Sequence, residues 1–377
     1  MATASVGAGH NSAARAIVDA LGIASPGVAV EYLDVLTLAP RVFRAYYAGG
    51  YALAVTALPR AYGLGYWATN RPHRPGRRLM ERLRLWAERR AMRRLSGRLL
   101  AEPPDLIVHT HFLAPPVVDR LIGRRRLPTR QMVVLTDNDA HRFWYAERVE
   151  RWFVPSEHCV DGLRRWGIDS GNITVSGFPV HPKWTRPLDR ARVLADWNLP
   201  ADRRIVLLAG GADFTCAPVE KIARQIADTA ERACVVVLAG RNKKLLGRLA
   251  PLAAARPGRL VGVSFTDRVN ELVDVCSLMV AKAGGATTAE CLAKATPMVL
   301  LKPVPGQEAR NARYFQGRGA AIIVRRTGQV ADVVGRLLAD PAELSALADN
   351  AAALYRPGTE TIVSAICDAL DAGPGGR

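Results

Sequence analysis

Polar residues and glycines that suit a phosphorylated sugar occur in two consecutive strand–glycine–helix units, at 277–290 and 297–311. An open helix N-terminus attracts phosphate through its unpaired N–H groups and the helix dipole. Hydroxyls, amides and carboxylates one turn further on suit a ribose diol and sugar hydroxyls. The pattern therefore predicts a nucleotide-sugar site at Lys282, Gly284, Gly285, Thr287, Thr288, Glu290, Gly306, Gln307, Glu308 and Asn311.

A second group of candidates for chemistry lies at the start of the chain. Gly7, Gly9 and His10 form a glycine loop that ends in a histidine before a small-residue helix. A histidine at a helix N-terminus is disfavoured as a cation, so it stays neutral and can accept a proton. We therefore predict that His10 is a general base. The alternative is a structural histidine in a capped helix.

A third group follows an apolar segment that ends at Thr136. Open α/β sheets bind ligands at the carboxyl ends of their strands, which favours a functional role for this loop. Asp137, His141 and Trp144 are the candidates in this loop, and the family resemblance given below implies that Asp137 assists His10 and that His141 and Trp144 line a channel for the acceptor. An equally good interpretation of Trp144 is a core residue behind an aspartate cap.

Composition limits the partners. The chain has 377 residues and a formal net charge of +18, which implies an anionic partner. Its six cysteines show no paired spacing, so we expect reduced thiols and no zinc site. No D-x-D motif stands where a metal-bound diphosphate needs one, since 137–139 fits only formally. We expect neither a metal nor a cofactor.

Residues 41–100 combine 14 arginines, no lysine and two glutamates with many aromatic residues. Aromatic side chains and cations together are typical of segments that dock on an anionic membrane surface. We predict this role for an arm that includes Tyr62, Tyr66 and Trp67. The alternatives are a solvated arginine-rich helix over core aromatics, or nucleic-acid binding, which no recognised motif supports. The longest uncharged early run, 45–59, is too short to span a bilayer.

The elements that position these residues alternate between apolar strands and helices through both halves of the chain. Strands are predicted at 28–33, 106–110, 131–136, the end of 145–154, 173–177, 204–208, 233–238, 260–265, 277–281, 297–301 and 321–324. This alternation indicates an α/β fold with doubly wound parallel sheets. We expect an acceptor-side domain at 1–180, a nucleotide-sugar domain at 181–358, and a C-terminal helix at 359–377 that packs back on the first domain.

The motifs together resemble glycosyltransferase family 28. The run from Ala283 to Asn311 resembles its donor signature, and the 5–14 loop its acceptor-side signature. The aromatic arm and the 136–144 segment resemble the monogalactosyldiacylglycerol synthases and processive diacylglycerol glucosyltransferases more than the peptidoglycan enzyme. This resemblance implies a GT-B architecture, in which two Rossmann-like domains face each other across a cleft. It also implies donor contacts at Gly211, Asn242 and Phe265.

The function implied is inverting transfer of a hexose from a UDP-sugar to a diacylglycerol-type lipid, by a peripheral protein on the cytoplasmic face of the membrane. Alternatives are N-acetylglucosamine transfer to a lipid-linked peptidoglycan precursor, a UDP-sugar epimerase, and a basic binding protein with a degenerate nucleotide site. One departure from the family concerns the strand before the glycine loop, for which only Met1 to Ser5 are present. We expect a few further strand residues ahead of Met1.

Overall fold

The computed structural model describes residues 1–5, 7–70, 75–210, 218–301 and 303–373. These form two compact units. One comprises Met1–His181, Val304–Gln307 and Arg356–Arg377, and the other comprises Pro182–Pro303 and Glu308–Tyr355. Each unit contains one six-stranded sheet in which every pairing is parallel. The predicted α/β class with two doubly wound sheets is confirmed.

The first unit has the strand order β2-β1-β3-β4-β5-β6. Its strands are β1 (Ala2–Thr3), β2 (Leu33–Asp34), β3 (Leu106–His109), β4 (Arg130–Val134), β5 (Arg151–Val154) and β6 (Ile173–Val175). Its helices are α1 (Ala8–Ala24), α2 (Arg41–Ala57), α3 (Pro59–Thr69), α4 (Pro75–Ala91), α5 (Arg93–Ala101), α6 (Pro115–Gly123) and α7 (Glu157–Arg164).

The second unit has the order β12-β11-β10-β7-β8-β9. It contains α8 (Arg190–Asp196), β7 (Arg204–Ala209), α9 (Val219–Thr229), β8 (Ala233–Gly240), α10 (Lys243–Ala254), β9 (Leu260–Ser264), α11 (Val269–Val275), β10 (Leu278–Ala281), α12 (Gly285–Ala293), β11 (Met298–Leu301), α13 (Gln307–Gly317, from Glu308 onward), β12 (Ala321–Val324), α14 (Val330–Ala339) and α15 (Pro341–Leu354). The last helix, α16 (Gly358–Asp371), belongs to the first unit.

Burial of apolar strands holds each sheet between its helices. In the second unit β7, β8, β10 and β11 are buried on both faces, as expected for parallel strands covered by helices. In the first unit α16 packs on α1, where Ile362 and Ile366 join Ile17 and Leu21 in one apolar cluster. This packing fixes the position of α1, the helix that carries His10.

The strand predicted at 28–33 is wrong over most of its length. Only Leu33 of that range is in a strand, β2, and residues 28–32 lie outside regular structure. A strand needs a paired neighbour, and β1, the strand between β2 and β3, is only two residues long. Val28 and Val30 are only partly buried, packed against the apolar cluster of the first unit, and Ala29 is exposed.

Candidate active site

His10 lies in the first turn of α1, after Gly7, whose φ of +80° gives the loop a conformation that favours glycine. The ring nitrogen Nδ1 lies 2.7 Å from the carbonyl oxygen of Thr110 and 2.9 Å from the hydroxyl of Thr136. A carbonyl oxygen only accepts hydrogen bonds, so Nδ1 carries the proton and donates it. Nε2 is then the unprotonated nitrogen, with a lone pair that can accept a proton.

The surroundings of His10 keep it neutral. Burial lowers its pKa to about 4, although the Thr110 carbonyl acts in the opposite direction. The ring of His111 lies 4.5 Å away edge-on, and Trp144 lies 6.2 Å away. The neutrality expected from the helix N-terminus therefore arises mainly from desolvation.

Thr110 and Thr136 are functional candidates that the sequence analysis missed. Both follow strands that neighbour each other in the sheet, β3 and β4, so the parallel order brings their ends to one edge beside His10. Their position after an apolar run was the only available signal, because a backbone carbonyl leaves no mark in a sequence. Asp137 follows Thr136 directly, is half-buried, and keeps its assisting role as a prediction.

His141 is buried and uses both ring nitrogens. Nδ1 accepts a hydrogen bond from the Phe143 N–H at 3.2 Å, so the proton is on Nε2, which lies 3.1 Å from the carbonyl oxygen of Tyr66. Tyr66 in turn donates its hydroxyl proton to Asp139 at 2.6 Å. His141 therefore holds the end of α3 against the loop after β4. Trp144 is buried in an apolar cluster with Leu135, in agreement with the core interpretation.

A continuous group of rings joins the arm to His10. Tyr47 of α2 lies 6.1 Å from His111 and 6.4 Å from Phe112, and Phe112 lies 5.9 Å from Trp144. The predicted arm residues differ in exposure, since Tyr66 is half-buried whereas Trp67 is 43% exposed. In the first unit a neutral histidine thus lies beside a group of packed aromatic rings.

Gly306 and Gln307 group with the first unit. Gly306 has φ +117°, and a Cβ there would lie 2.8 Å from the Tyr62 ring, so this position requires glycine. The Tyr62 hydroxyl donates to Gln307 Oε1 at 3.1 Å. Gly9 is half-buried in the first turn of α1.

In the second unit the turn between β10 and α12 supplies an open helix N-terminus. Gly284 precedes the helix, and a Cβ at Gly284 would meet nothing within 4 Å. Thr287 is half-buried, whereas the buried Thr288 hydroxyl donates to the carbonyl oxygens of Gly284 and Gly285 at 2.9 and 3.1 Å. Thr287 is thus the better placed hydroxyl for an incoming phosphate.

Charged and amide side chains surround this turn. Lys282 Nζ lies 3.7 Å from Glu308 Oε1. The Asn311 side chain is buried and donates to the Ala283 carbonyl oxygen at 3.0 Å, which joins α13 to the turn. Burial raises the pKa of Glu290 to about 8, against the nearby Lys183. The raised pKa favours the protonated carboxyl, which can donate as well as accept a hydrogen bond.

The remaining predicted donor contacts are placed as follows. The Asn242 side chain caps α10 by accepting from the Leu245 N–H at 2.9 Å. Phe265, after β9, is 57% exposed, with the Arg241 guanidinium 4.7 Å from its ring centre. Gly211 lies outside the described residues. Among those described, no group of three or more histidine, cysteine or acidic side chains could hold a metal ion.

Two family models cover most of the chain. Residues 10–180 match monogalactosyldiacylglycerol (MGDG) synthase, and residues 205–359 match the glycosyltransferase family 28 C-terminal domain. A processive diacylglycerol beta-glucosyltransferase of Bacillus licheniformis is 30% identical over 72% of this chain and 70% of its own length. The chain belongs to glycosyltransferase family 28. A second such glucosyltransferase, from Bacillus subtilis, is 30% identical over 71% of this chain and 69% of its own length.

Solved structures agree on the fold. MurG of Acinetobacter baumannii is 14% identical, with a TM-score of 0.56 over 97% of this chain and 98% of its own. S. aureus MnaA, solved with UDP, is 15% identical, with a TM-score of 0.56 over 76% of this chain and 81% of its own. The GT-B architecture of this glycosyltransferase is confirmed, and the family models favour the diacylglycerol branch over the epimerase and non-enzyme alternatives.

Proposed function

We propose that this glycosyltransferase moves a hexose from a UDP-sugar to the hydroxyl of a diacylglycerol-type lipid, with inversion at the anomeric carbon. The names of the Bacillus relatives and the match to MGDG synthase support the lipid acceptor. The observation that carries the mechanism is the hydrogen bond from His10 Nδ1 to Thr110, because it leaves Nε2 as a proton acceptor.

In the proposed reaction, Nε2 of His10 takes the proton of the acceptor hydroxyl. The acceptor oxygen forms a bond to the anomeric carbon while the bond from that carbon to the β-phosphate oxygen breaks. UDP departs with the electron pair. His10 is unprotonated at neutral pH and is held in the required tautomer, so Nε2 is available to accept the proton. Asp137 assists from the loop after β4.

The charge that develops on UDP is stabilised by the N-terminus of α12. The helix begins at Gly285 after the N-cap Gly284, where an added Cβ would meet nothing within 4 Å, and the Thr287 hydroxyl lies in its first turn. Lys282 meets the diphosphate as a point charge, and Glu290 binds the ribose. Gln307 and Glu308 read the sugar, and Asn311 keeps the turn in place through Ala283. Phe265 and Asn242 contact the nucleobase end of the UDP-sugar.

The arm supports docking on a membrane. Ten of the thirteen large apolar side chains that are exposed among the described residues lie between Val42 and Trp86. The same stretch is rich in arginine, so apolar insertion and attraction to anionic lipid act together. No described helix is both long and apolar enough to cross a bilayer. We place the enzyme peripherally on the cytoplasmic leaflet, with His10 beside the aromatic rings that lead from the arm.

The test is incubation of the protein with liposomes that contain diacylglycerol and with UDP-glucose, UDP-galactose and UDP-N-acetylglucosamine in turn. The proposal expects a hexosyl-diacylglycerol among the lipid products, identified by mass. Absence of a hexosyl-diacylglycerol with all three donors, or interconversion of the free UDP-sugars without a lipid product, would contradict it.

A further inference from the structure

His111 is a buried histidine of the first unit that the proposed reaction does not use. It lies in the loop between β3 and α6, and its side chain is 2% exposed. Its ring centre is 4.5 Å from that of His10, and the two ring planes meet at 71°. The position of the proton on the His111 ring decides what this second imidazole can do beside the base.

The loop after β3 fixes the tautomer of His111. Its Nδ1 atom lies 3.1 Å from the backbone nitrogen of Leu113, whose N–H can only donate, so Nδ1 accepts and carries no proton. Burial, together with the neighbouring His10, lowers the pKa of His111 well below its usual value, so the ring is neutral. The single ring proton is therefore on Nε2.

The Nε2–H group of His111 has no hydrogen-bond acceptor within the part of the chain that the structure describes. It also keeps contact with solvent, unlike the Tyr47 hydroxyl, which is both unpaired and fully enclosed. Native proteins pair nearly all the polar groups of their buried side chains. An unpaired donor on a buried ring, open at one atom and next to the base, indicates that an atom of the substrate is its partner.

His10 and His111 have opposite hydrogen-bonding character at Nε2. His10 carries its proton on Nδ1, directed to the Thr110 carbonyl oxygen, so its Nε2 accepts. His111 has the reverse arrangement, so its Nε2 donates. Thr110 ties the two segments together, because its hydroxyl also donates to the His10 carbonyl oxygen at 3.1 Å. Neighbouring acceptor and donor groups match a ligand that has a hydroxyl and a second oxygen close to it.

The surroundings of His111 favour a lipid ester as the source of that second oxygen. Phe112 stacks on the His111 ring with 4.3 Å between centres, and Tyr47 lies 6.1 Å away, so the neighbours are aromatic. A donor directed at the reacting hydroxyl would hold the lone pair that must attack, so the partner is a different oxygen. In a diacylglycerol with a terminal hydroxyl, the adjacent carbon carries an ester, whose carbonyl oxygen accepts hydrogen bonds among apolar groups.

We propose that His111 Nε2 donates a hydrogen bond to the ester carbonyl oxygen next to the reacting hydroxyl of the lipid acceptor, while His10 Nε2 accepts the proton of that hydroxyl. This inference rests on the proposed function, since it specifies how the same site recognises a diacylglycerol-type lipid. The hydrogen bond orients the glycerol so that its free hydroxyl meets the base. It also makes the enzyme select an acyl ester over an ether.

The experiment compares two acceptors that differ only in their carbonyl groups. Dioleoylglycerol and its dioleyl diether analogue are presented at equal surface fraction in the same mixed vesicles, with the UDP-sugar that supports transfer. The unmodified enzyme is expected to show a kcat/KM about tenfold higher for the ester, because the ether leaves the His111 Nε2–H unpaired.

Two variants remove the donor in different ways. His111→Asn keeps a side-chain oxygen that can accept from the Leu113 N–H, as in an Asx turn, but has no group at the position of Nε2. His111→Phe keeps a planar ring beside Phe112 and Tyr47. In both variants the ester-to-ether ratio of kcat/KM is expected to fall to near unity, with thermal melting as the check on folding. A merely structural role would lower kcat/KM for both acceptors alike and leave their ratio unchanged.

A ratio near unity in the unmodified enzyme would overturn the proposal, whether or not the variants fold. An unchanged ratio in folded variants would also overturn it. Failure of the proposed function has a different signature, because no transfer to either lipid would then be seen, and both assignments would be removed.

Discussion

The Nδ1 atom of His10 lies 2.7 Å from the carbonyl oxygen of Thr110, and this contact determines which ring nitrogen can act as a base. Nδ1 must be the hydrogen-bond donor, because a carbonyl oxygen can only accept. The Thr136 hydroxyl, 2.9 Å from the same nitrogen, holds the ring plane. The proton-accepting nitrogen is therefore defined before any substrate binds.

Replacement of His10 by glutamine is expected to lower kcat by about 10²- to 10⁴-fold, because the amide cannot take the acceptor proton. The matched control is His158→Gln, since His158 is exposed on α7. Both variants are assayed for transfer to lipid, with thermal melting to show that they fold. Retention of full activity by the His10→Gln protein would remove the base assignment.

Two tyrosines of the arm provide a paired test of the hydrogen bonds there. The Tyr47 hydroxyl is buried without a hydrogen-bond partner among the described residues, whereas Tyr66 donates to Asp139 at 2.6 Å. Tyr66→Phe is expected to lower the free energy of unfolding by about 1.5–3 kcal/mol, because it breaks a bond to a charged acceptor. Tyr47→Phe is expected to leave it unchanged or raise it. Chemical denaturation measures both, and the reverse order would contradict the contacts described.

Glu290 is expected to make the stability of the unliganded enzyme depend on pH. Its folded-state pKa, about 8, lies above the usual 4.5, so between these values the folded state binds more protons than the unfolded state. The contribution of the Glu290 carboxyl to the free energy of unfolding is therefore largest below pH 4.5. It is lost as the pH rises through 8. Glu290→Gln should therefore flatten the stability profile between pH 5 and about 9. A profile of the same shape in both proteins would show that Glu290 titrates normally.

Membrane docking predicts a specific pattern of binding to vesicles. Serine at both Leu64 and Trp67 should reduce co-sedimentation with anionic vesicles by about tenfold, because two apolar side chains no longer insert. Ile23→Ser is the control, as Ile23 is 72% exposed on α1 but lies outside the arm. Equal loss in the control would show that general surface hydrophobicity, and not the arm, drives binding.

Most of the strands could be predicted because buried parallel strands are continuous apolar runs, as at Leu278–Ala281 and Met298–Leu301. The segment at 28–32 begins with three apolar residues but continues into the exposed Glu31 and Tyr32, and pairing depends on residues distant in sequence. Periodicity reports burial and does not report whether a neighbour exists. This is why the fold class was predictable and that one element was not.

The candidate site was predictable where it depends on glycine loops and helix starts. Its finer structure was not, because it depends on backbone groups. The Thr110 carbonyl orients His10, and the Ala283 carbonyl holds Asn311, which the sequence suggested as a sugar-reading amide. The Thr288 hydroxyl donates to a carbonyl oxygen at the start of its own helix, although the sequence made Thr287 and Thr288 equally good candidates for phosphate binding. Only tertiary structure distinguishes such neighbours.

The central claim is inverting transfer to a lipid hydroxyl with His10 as the base, and the configuration of the product tests it most directly. The lipid product made from an α-linked UDP-hexose is purified, and its anomeric proton coupling is measured by NMR. Our account predicts a β-linked hexosyl-diacylglycerol that is formed by the unmodified enzyme and almost lost in the His10→Gln protein. An α-linked product, or an unchanged yield without His10, would contradict it.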